Sequence, residues 1–208
     1  AAWKENWEFF VERLPSDGLP RVYPHVAGRI AYLDIETTGL DAASRITTIA
    51  VYSGGVLRTF ARGLNLERFP ESLVGAAMLA TYNGARFDLP FLRREFACLP
   101  DLPHLDIMRP LRKFGYAGGL KACERLLGIR RQVPEDMDGL EAVRLWYAYR
   151  AGNPTALEKL LAYNSQDVLS LELLLVKLYN MSMAGYPLFR RIETPHQPRI
   201  IWPDANAD

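Results

Sequence analysis

The sequence has 208 residues, of which 49% are hydrophobic and 24% are charged, and its formal net charge is +1. This length suits one sizeable core, and the proportions are those of an ordinary globular protein, so disordered and collagen-like classes are excluded. The longest apolar run, residues 168–178, is interrupted by Ser170, Glu172 and Lys177 and falls short of the ~18 uncharged residues of a membrane span.

The compartment is predicted from two further features. Glutamates at positions 5, 8 and 12 interrupt any apolar leader, so we expect no signal peptide. Cys98 and Cys123 lie far apart and lack metal-ligand spacing, which predicts two buried free thiols in a reducing compartment. We therefore expect a cytoplasmic protein without a membrane segment.

In chain order, residues 1–28 predict an N-terminal extension, a tryptophan-rich amphipathic element followed by a proline-punctuated connector. Strand patterns then occupy residues 29–36, 45–53, 56–62, 78–83 and 104–108. The second and third are joined by Gly54-Gly55, which indicates a hairpin. Helical patterns occupy residues 89–96, 120–127, 140–149 and 154 to about 181.

This order of elements predicts an α/β fold. Three strands in a meander, followed by alternating helices and strands, favour a mixed five-stranded sheet flanked by helices. The helix from Pro154 has a clear start signal, because Asn153 can cap it and proline suits the first helical position. We expect one domain over residues 29–181 and a C-terminal tail over 182–208.

The first chemical motif is "YLDIETTGL", residues 32–40. Asp34 and Glu36 are two apart on a strand and share a face. Two carboxylates this close repel each other unless a cation lies between them, and oxygen ligands without histidine or cysteine favour Mg²⁺ or Mn²⁺ over zinc. On this pattern alone, a turn-capping Asp34 and an exposed Glu36 remain the alternative.

A second motif is "TYNGARFDLPFL", residues 81–92. It combines a strand end, a tight turn at Asn83-Gly84 and Asp88 at the start of a helical pattern. Helix capping would explain Asp88 by itself, but not its occurrence with Asn83, Gly84 and Phe87.

The third motif is "YNSQDVLSLELLL", residues 163–175. Tyr163 and Asp167 are four apart and lie on one face of a helix. Asp167 begins a strongly apolar run, where an unpaired carboxylate is costly, so it should face a partner. An aspartate on the polar stripe of an amphipathic helix is the alternative.

Together, the three motifs resemble those of the DEDD, or DnaQ-like, superfamily of 3′-5′ exonucleases, which have an RNase H-like fold. Tyr163 stands four residues before Asp167, whereas the histidine of the other subtype would stand five before it, where this chain has Ala162. The chain is thus similar to the tyrosine subtype, DEDDy. "LDIMRPLRKFG" and "LKACERLLGI" further resemble the exonuclease domain of the YprB kind, over about residues 29–180.

The resemblance implies a two-metal mechanism at phosphodiester bonds of single-stranded DNA or RNA 3′ ends. Asp34, Glu36 and Asp167 would hold one Mg²⁺ or Mn²⁺ ion, and Asp34 with Asp88 would hold or orient a second. One ion would activate water and its partner would stabilise the leaving oxygen, releasing nucleoside monophosphates. Tyr163 would orient the attacking water, because its unperturbed pKa near ~10 makes it a weak base.

Substrate contacts are predicted on both sides of this centre. In the first motif, Thr37, Thr38, Gly39 and Leu40 would contact the terminal nucleotide, through backbone groups and by wedging against its base. In the second motif, Asn83 and Phe87 would line the same pocket. Residues 86–131 contain ten basic and five acidic side chains, and this +5 segment could follow the phosphate backbone or form ordinary solvated helix surfaces. The basic residues predicted along the backbone are Arg86, Arg109, Arg112, Lys113 and Lys121.

Two other functions remain open. One is a nucleic-acid-binding module of the same fold that lacks catalysis, against which the complete set of acidic residues argues. The other is an RNase H-like endonuclease, which would need no tyrosine one helical turn before the last aspartate.

Overall fold

The computed structural model describes residues 9, 11, 13–15, 18–134 and 136–200. Most of the amphipathic element predicted within residues 1–28, including Trp3 and Trp7, lies outside the described residues. Within the described ranges, no helix combines the length and the apolar character that crossing a membrane requires.

The centre of the fold is a five-stranded mixed sheet, as predicted. Its strands run in the spatial order β3-β2-β1-β4-β5. β1 pairs antiparallel with β2, and β2 with β3, whereas β1, β4 and β5 are parallel neighbours. The strands are β1 (Ile30–Thr37), β2 (Ile46–Ser53), β3 (Val56–Ala61), β4 (Met78–Thr81) and β5 (His104–Asp106). The β2–β3 hairpin is confirmed, and both turn glycines have positive φ, 57° at Gly54 and 80° at Gly55, as its two-residue turn requires.

Helices cover the sheet and one of them dominates the core. They are α1 (Tyr23–Val26), α2 (Asp88–Glu95), α3 (Met108–Lys113), α4 (Leu120–Leu126), α5 (Gly139–Arg150) and α6 (Pro154–Met183). Among the described residues, 3-10 segments add Leu19–Val22, Ala27–Arg29 and Leu66–Leu73. The predicted start of α6 is confirmed, since the Asn153 side chain accepts a hydrogen bond from the backbone N–H of Ala156.

Alternation along β1 divides the apolar residues between the two faces of the sheet. Ile30 and Tyr32 belong to the cluster that contains the leucines of α6. Leu33 and Ile35 belong to the opposite cluster, with Phe69 among its members. Burial on both faces explains why β1 is a nearly continuous apolar run in the sequence. The same alternation decides which face the polar side chains at the end of the strand point to.

The boundaries of several elements differ from the prediction. The strand predicted over 78–83 ends at Thr81, because Asn83 adopts a positive φ of 63° that no strand accommodates. The strand predicted over 104–108 ends at Asp106. α3 follows at once and was not predicted, since Pro110 argues against a helix, yet proline is tolerated in a first turn.

One prediction about the cysteines is wrong. Cys123 is buried, but Cys98 is exposed. It lies in the irregular segment between α2 and β5, where Pro100 and Pro103 prevent regular structure from burying it.

Segments at both ends pack on the sheet-and-helix core. Leu19, Val22 and Tyr23 belong to the cluster around α6. The side chain of Asn180, in the last turn of α6, exchanges two hydrogen bonds with the backbone of Ile192 beyond the helix, at 2.8 and 2.9 Å. Ile200 is buried in the same cluster. The described parts of the predicted extension and tail therefore contribute to the core.

Candidate metal centre

The end of β1 presents two carboxylates to α6. Asp34 and Glu36 continue the row of β1 side chains that faces this helix, and both are only partly buried. The register between β1 and β2 shifts between Glu36 and Thr37, and such an irregularity bends a strand locally. The core therefore gives way to a polar site within a single strand.

Asp167 of α6 meets these two side chains. Asp34, Glu36 and Asp167 each offer one carboxylate oxygen, and the three oxygens lie within 4.8 Å of one another. The strand spacing and the helix spacing that singled out these residues therefore lead to a common centre. The alternatives do not hold, because Asp34 lies within β1 rather than in a turn and Asp167 is buried rather than on a solvated stripe.

Asp88 lies beside this trio and outside it. It begins α2, is buried, and its Oδ1 accepts a hydrogen bond of 3.2 Å from the backbone N–H of Ile35. That N–H belongs to the residue between the two β1 carboxylates. Burial raises the pKa of Asp88 to about 7, against the opposing effect of its backbone hydrogen bonds. Its charge acts on both Asp34 and Glu36.

The carboxylates of the trio are electrostatically frustrated in the absence of a cation. Burial raises the pKa of Asp34 well above its ordinary value, and the charges of Asp167, Asp88 and Glu36 raise it further. Burial and the charges of Asp167 and Asp88 raise the pKa of Glu36 in the same way, while Lys121 opposes them. Four acidic groups at one place favour protonation unless positive charge is added.

Tyr163 lies one turn before Asp167 on α6 and is buried. Burial raises the pKa of its phenol, and the negative charges of Asp167, Glu36 and Asp34 raise it further. The hydroxyl therefore stays protonated at neutral pH. It can donate a hydrogen bond and accept another, but it does not serve as a strong base.

The predicted substrate residues of the first motif follow β1 directly. The Thr37 hydroxyl donates to the carbonyl of Gly39 at 2.6 Å, and Thr38 Oγ1 accepts from the backbone N–H of Arg45 at 3.0 Å. A Cβ on Gly39 would lie 2.9 Å from Ser44 Oγ. Leu40 is 85% exposed. The threonines and glycine thus shape the turn, and an apolar side chain extends from it into solvent.

The second motif is an organised turn between β4 and α2. Asn83 is partly buried, and its backbone N–H donates to Asp106 Oδ1 at 2.8 Å. Phe87 is partly buried and its ring packs on that of Phe91, with 5.0 Å between centroids. A Cβ on Gly84 would lie 2.6 Å from Cβ of Thr81 and 2.9 Å from Oδ2 of Asp88. Only glycine fits there, so Gly84 lets Asp88 approach the sheet.

The comparisons with known proteins agree with this architecture. The family model of the RNase_H superfamily matches residues 31–179. The chain belongs to the RNase_H superfamily. The matched range includes all four predicted metal ligands and Tyr163. No curated protein sequence matches the chain.

Among solved structures, this RNase_H superfamily member is similar to the family B DNA polymerase from the hyperthermophilic archaeon Pyrobaculum calidifontis. The TM-score is 0.52 and the sequence identity is 18%, over 76% of this chain and 26% of the polymerase chain. At this identity the similarity concerns the fold. The present chain spans about a quarter of the polymerase.

The side chains present fit divalent cations. The donor set of the trio consists of carboxylate oxygens alone, which suits Mg²⁺ or Mn²⁺. Burial and the neighbouring carboxylates raise the pKa values of Asp34 and Glu36, and a bound cation would oppose both effects. The RNase_H superfamily fold and this donor set together support a metal-dependent nuclease in general terms, without specifying its substrate or direction.

Several residues that organise the site were not predicted. Asp106 is buried and accepts from the backbone N–H groups of Asn83 and Met108. Arg131 bonds Asp167. Lys121 was predicted only as a phosphate contact, yet its ammonium lies 5.2 Å from the centre of the Tyr163 ring. Asp106 resembles an ordinary strand residue, and Arg131 lies in an irregular segment without periodicity, so the sequence offered no signal for either.

Proposed function

We propose that this protein is a metal-dependent 3′-5′ exonuclease of the DEDD superfamily, tyrosine subtype, of the YprB kind. It hydrolyses the phosphodiester bond at the 3′ end of single-stranded DNA or RNA and releases nucleoside monophosphates. Asp34, Glu36 and Asp167 would hold one Mg²⁺ or Mn²⁺ ion, and Asp34 with Asp88 would hold or orient a second.

The observation that carries this proposal is the convergence of the three carboxylates, whose charges act on Tyr163, in a chain of the RNase_H superfamily. Three acidic side chains whose pKa values are all raised, those of Asp34 and Glu36 well above the ordinary range, would not be brought together for stability, because each charge costs free energy in the others' presence. The similarity to a DNA polymerase agrees with a nucleic-acid substrate.

The chain's own residues then perform three tasks beside the bound ions. When bound, the two ions would supply an activated water and stabilise the leaving 3′ oxygen. Asn164 fixes one oxygen of Asp34 by its hydrogen bond of 2.6 Å. The protonated Tyr163 hydroxyl orients the attacking water. Asp88, anchored on the Ile35 N–H, holds the second position.

The 3′ terminal nucleotide occupies the turn after β1. Exposed Leu40 wedges against its base, and backbone groups around Thr37, Thr38 and Gly39 contact its sugar and phosphate. Asn83 and Phe87 line the other side. Since Thr37 and Thr38 already use their hydroxyls within the turn, their contribution is to hold its backbone in shape.

Basic side chains beyond the site follow the phosphates of the strand. Arg86, Arg109, Arg112 and Lys113 are exposed, while Lys121 is partly buried beside Tyr163. Phosphate contacts of this kind give affinity that falls with salt concentration but carries no sequence preference.

End-labelled and closed circular substrates test the proposal. With Mn²⁺, a 5′-labelled single strand should give a ladder that shortens from the 3′ end, and a 3′-labelled strand should release labelled mononucleotide at once. A closed single-stranded circle should stay intact. Cleavage of the circle would establish an endonuclease instead, and binding without hydrolysis in excess Mn²⁺ would establish the inactive binding module. Parallel DNA and RNA substrates read out the sugar preference.

A further inference from the structure

Arg131 joins Asp167 to a second, deeply buried acid. Its Nη2 donates to Asp167 Oδ1 at 2.5 Å, and its Nη1 donates to both carboxylate oxygens of Glu124, at 2.9 and 2.7 Å. The side chains of Arg131 and Glu124 are only 4% and 1% exposed. The guanidinium is therefore fixed on one side by α4 and on the other by α6.

This burial excludes a direct contact of Arg131 with substrate. A fork of guanidinium N–H groups is well suited to hold carboxylates in fixed geometry, and a lysine could not hold both acids in the same way. Arg131 Nε is buried without a hydrogen-bond partner among the described residues. A pair of apolar side chains in place of Arg131 and Glu124 would avoid both that cost and the burial of two charges, so stability alone does not account for this ion pair.

The charges around Arg131 indicate whether it orients Asp167 or competes with a metal ion for the charge of that side chain. A lone arginine beside Asp167 would cancel the charge that attracts a cation. Here Glu124 already neutralises Arg131, because the pair has no net charge. Glu124 thus offsets part of the positive charge that Arg131 places beside Asp167, while one oxygen of Asp167 is held in place.

Hydrogen bonds of the neighbouring residue, Gln132, hold the segment that carries Arg131. The backbone N–H of Gln132 donates to the side chain of buried Gln166 at 2.7 Å. The Gln132 side chain accepts from the backbone N–H of Ile200 and donates to the carbonyl of Pro198, both at 3.1 Å. Contacts to α6 and to the C-terminal segment therefore hold Gln132, the residue that follows Arg131.

We propose that Arg131 is a positioning residue for the metal centre: clamped by Glu124, it holds Oδ1 of Asp167 so that Oδ2 is presented to the cation. This inference rests on the proposed function, since it requires that Asp167 bind a divalent ion. Partners that orient metal ligands typically contribute 10- to 100-fold to metal affinity.

Direct Mn²⁺ binding, followed by electron paramagnetic resonance of the free ion, tests the inference independently of activity. For Arg131→Met we expect Mn²⁺ to bind about tenfold or more weakly, with KM for a single strand changed less than about twofold. Arg131→Lys should recover only part of the affinity. Arg130→Met is the matched control, because Arg130 is the exposed neighbour, and it should bind Mn²⁺ like the unmodified protein.

A double variant, Glu124→Leu with Arg131→Met, covers the case in which the single variant does not fold. It removes both buried charges together, which is tolerated better than leaving one unpaired, and it should show the same weaker Mn²⁺ binding. Unchanged or tighter Mn²⁺ binding in a folded variant, or full recovery by Arg131→Lys, would overturn the positioning role. Failure of the unmodified protein to bind Mn²⁺ would instead refute the metal centre itself.

Discussion

Asn164 donates a hydrogen bond of 2.6 Å from its side-chain amide to Oδ2 of Asp34, and so joins α6 to β1 across 130 positions of the sequence. Its own amide oxygen accepts from the Thr48 hydroxyl of β2 at 3.3 Å. The amide is therefore held in one orientation and presents its N–H₂ group to the carboxylate. This hydrogen bond lowers the pKa of Asp34, although burial and neighbouring charges outweigh it.

Asp34→Asn should abolish hydrolysis without unfolding the protein. The substitution removes a charged ligand shared by both proposed ions. Losing an outer partner of a metal ligand costs up to about 100-fold, so for the ligand itself we expect activity on a labelled single strand to fall at least about 100-fold. In chelator the variant should be no less thermally stable, because it relieves repulsion among the acids. Asp101→Asn, at an exposed position, is the control, and an active Asp34→Asn variant would refute the assignment.

Tyr163→Phe should slow the reaction and leave metal binding unchanged. The ring stays in the core, and only the hydroxyl that orients water is lost. We expect kcat to fall about 10- to 100-fold, as for other losses of alignment, with KM nearly constant in single-turnover and steady-state assays. Tyr147→Phe, on the exposed face of α5, controls for the substitution itself. A fall confined to KM would mean that Tyr163 binds substrate rather than orienting water.

Gly84→Ala should disturb the second motif. The added methyl group would lie 2.6 Å from Cβ of Thr81, so the turn must move and Asp88 with it. Overpacking of this kind costs about 1–3 kcal/mol, which urea unfolding can measure, and activity should fall as well. Gly139→Ala is the control because a Cβ there meets nothing within 4 Å. Equal stability of the two variants would show that the turn tolerates a side chain.

Stability should depend on pH in a direction opposite to that of most proteins. Burial raises the pKa of Asp88 to about 7, against ~3.9 when unfolded, so between these values the folded state binds more protons. Stability then falls as pH rises from about 4 to about 7, and the raised pKa values of Asp34 and Glu36 act in the same sense.

Urea unfolding in chelator at pH 5 and pH 8 measures this dependence. We expect the lower midpoint at pH 8, and a smaller difference between the two pH values in Asp88→Asn. Saturating Mn²⁺ should stabilise the protein most at pH 8, since it binds the folded carboxylates. A midpoint that rises from pH 5 to pH 8 in chelator would contradict the raised pKa values.

Periodic patterns were the part of the site that the sequence could predict. The two-residue spacing of Asp34 and Glu36 and the four-residue spacing of Tyr163 and Asp167 fix relative directions within one strand and one helix. That these elements meet depends on tertiary packing, and this expectation came from the family resemblance of the three motifs. The sheet, its hairpin and the long helix were predictable for the same reason.

Long-range polar partners were not predictable. Arg131 reaches Asp167 from an irregular segment 36 residues away, and no local pattern reports such a contact. Asp106 ends a short strand and carries no local signal. Only the structure shows that it accepts a hydrogen bond from the backbone N–H of Asn83 in the second motif. α3 was not predicted because Pro110 argues against a helix in the sequence. In the structure this proline lies in the first turn of α3, where proline is tolerated. The cytoplasmic location and the domain boundaries remain predictions.

The central claim is that Asp34, Glu36 and Asp167 form one divalent-cation site. Anomalous X-ray diffraction from crystals grown with Mn²⁺ tests it most directly, because the manganese signal identifies the ion and its position. We predict an anomalous peak bounded by these three carboxylates, absent from Asp34→Asn crystals. Crystals in saturating Mn²⁺ without a peak at these carboxylates would contradict the claim.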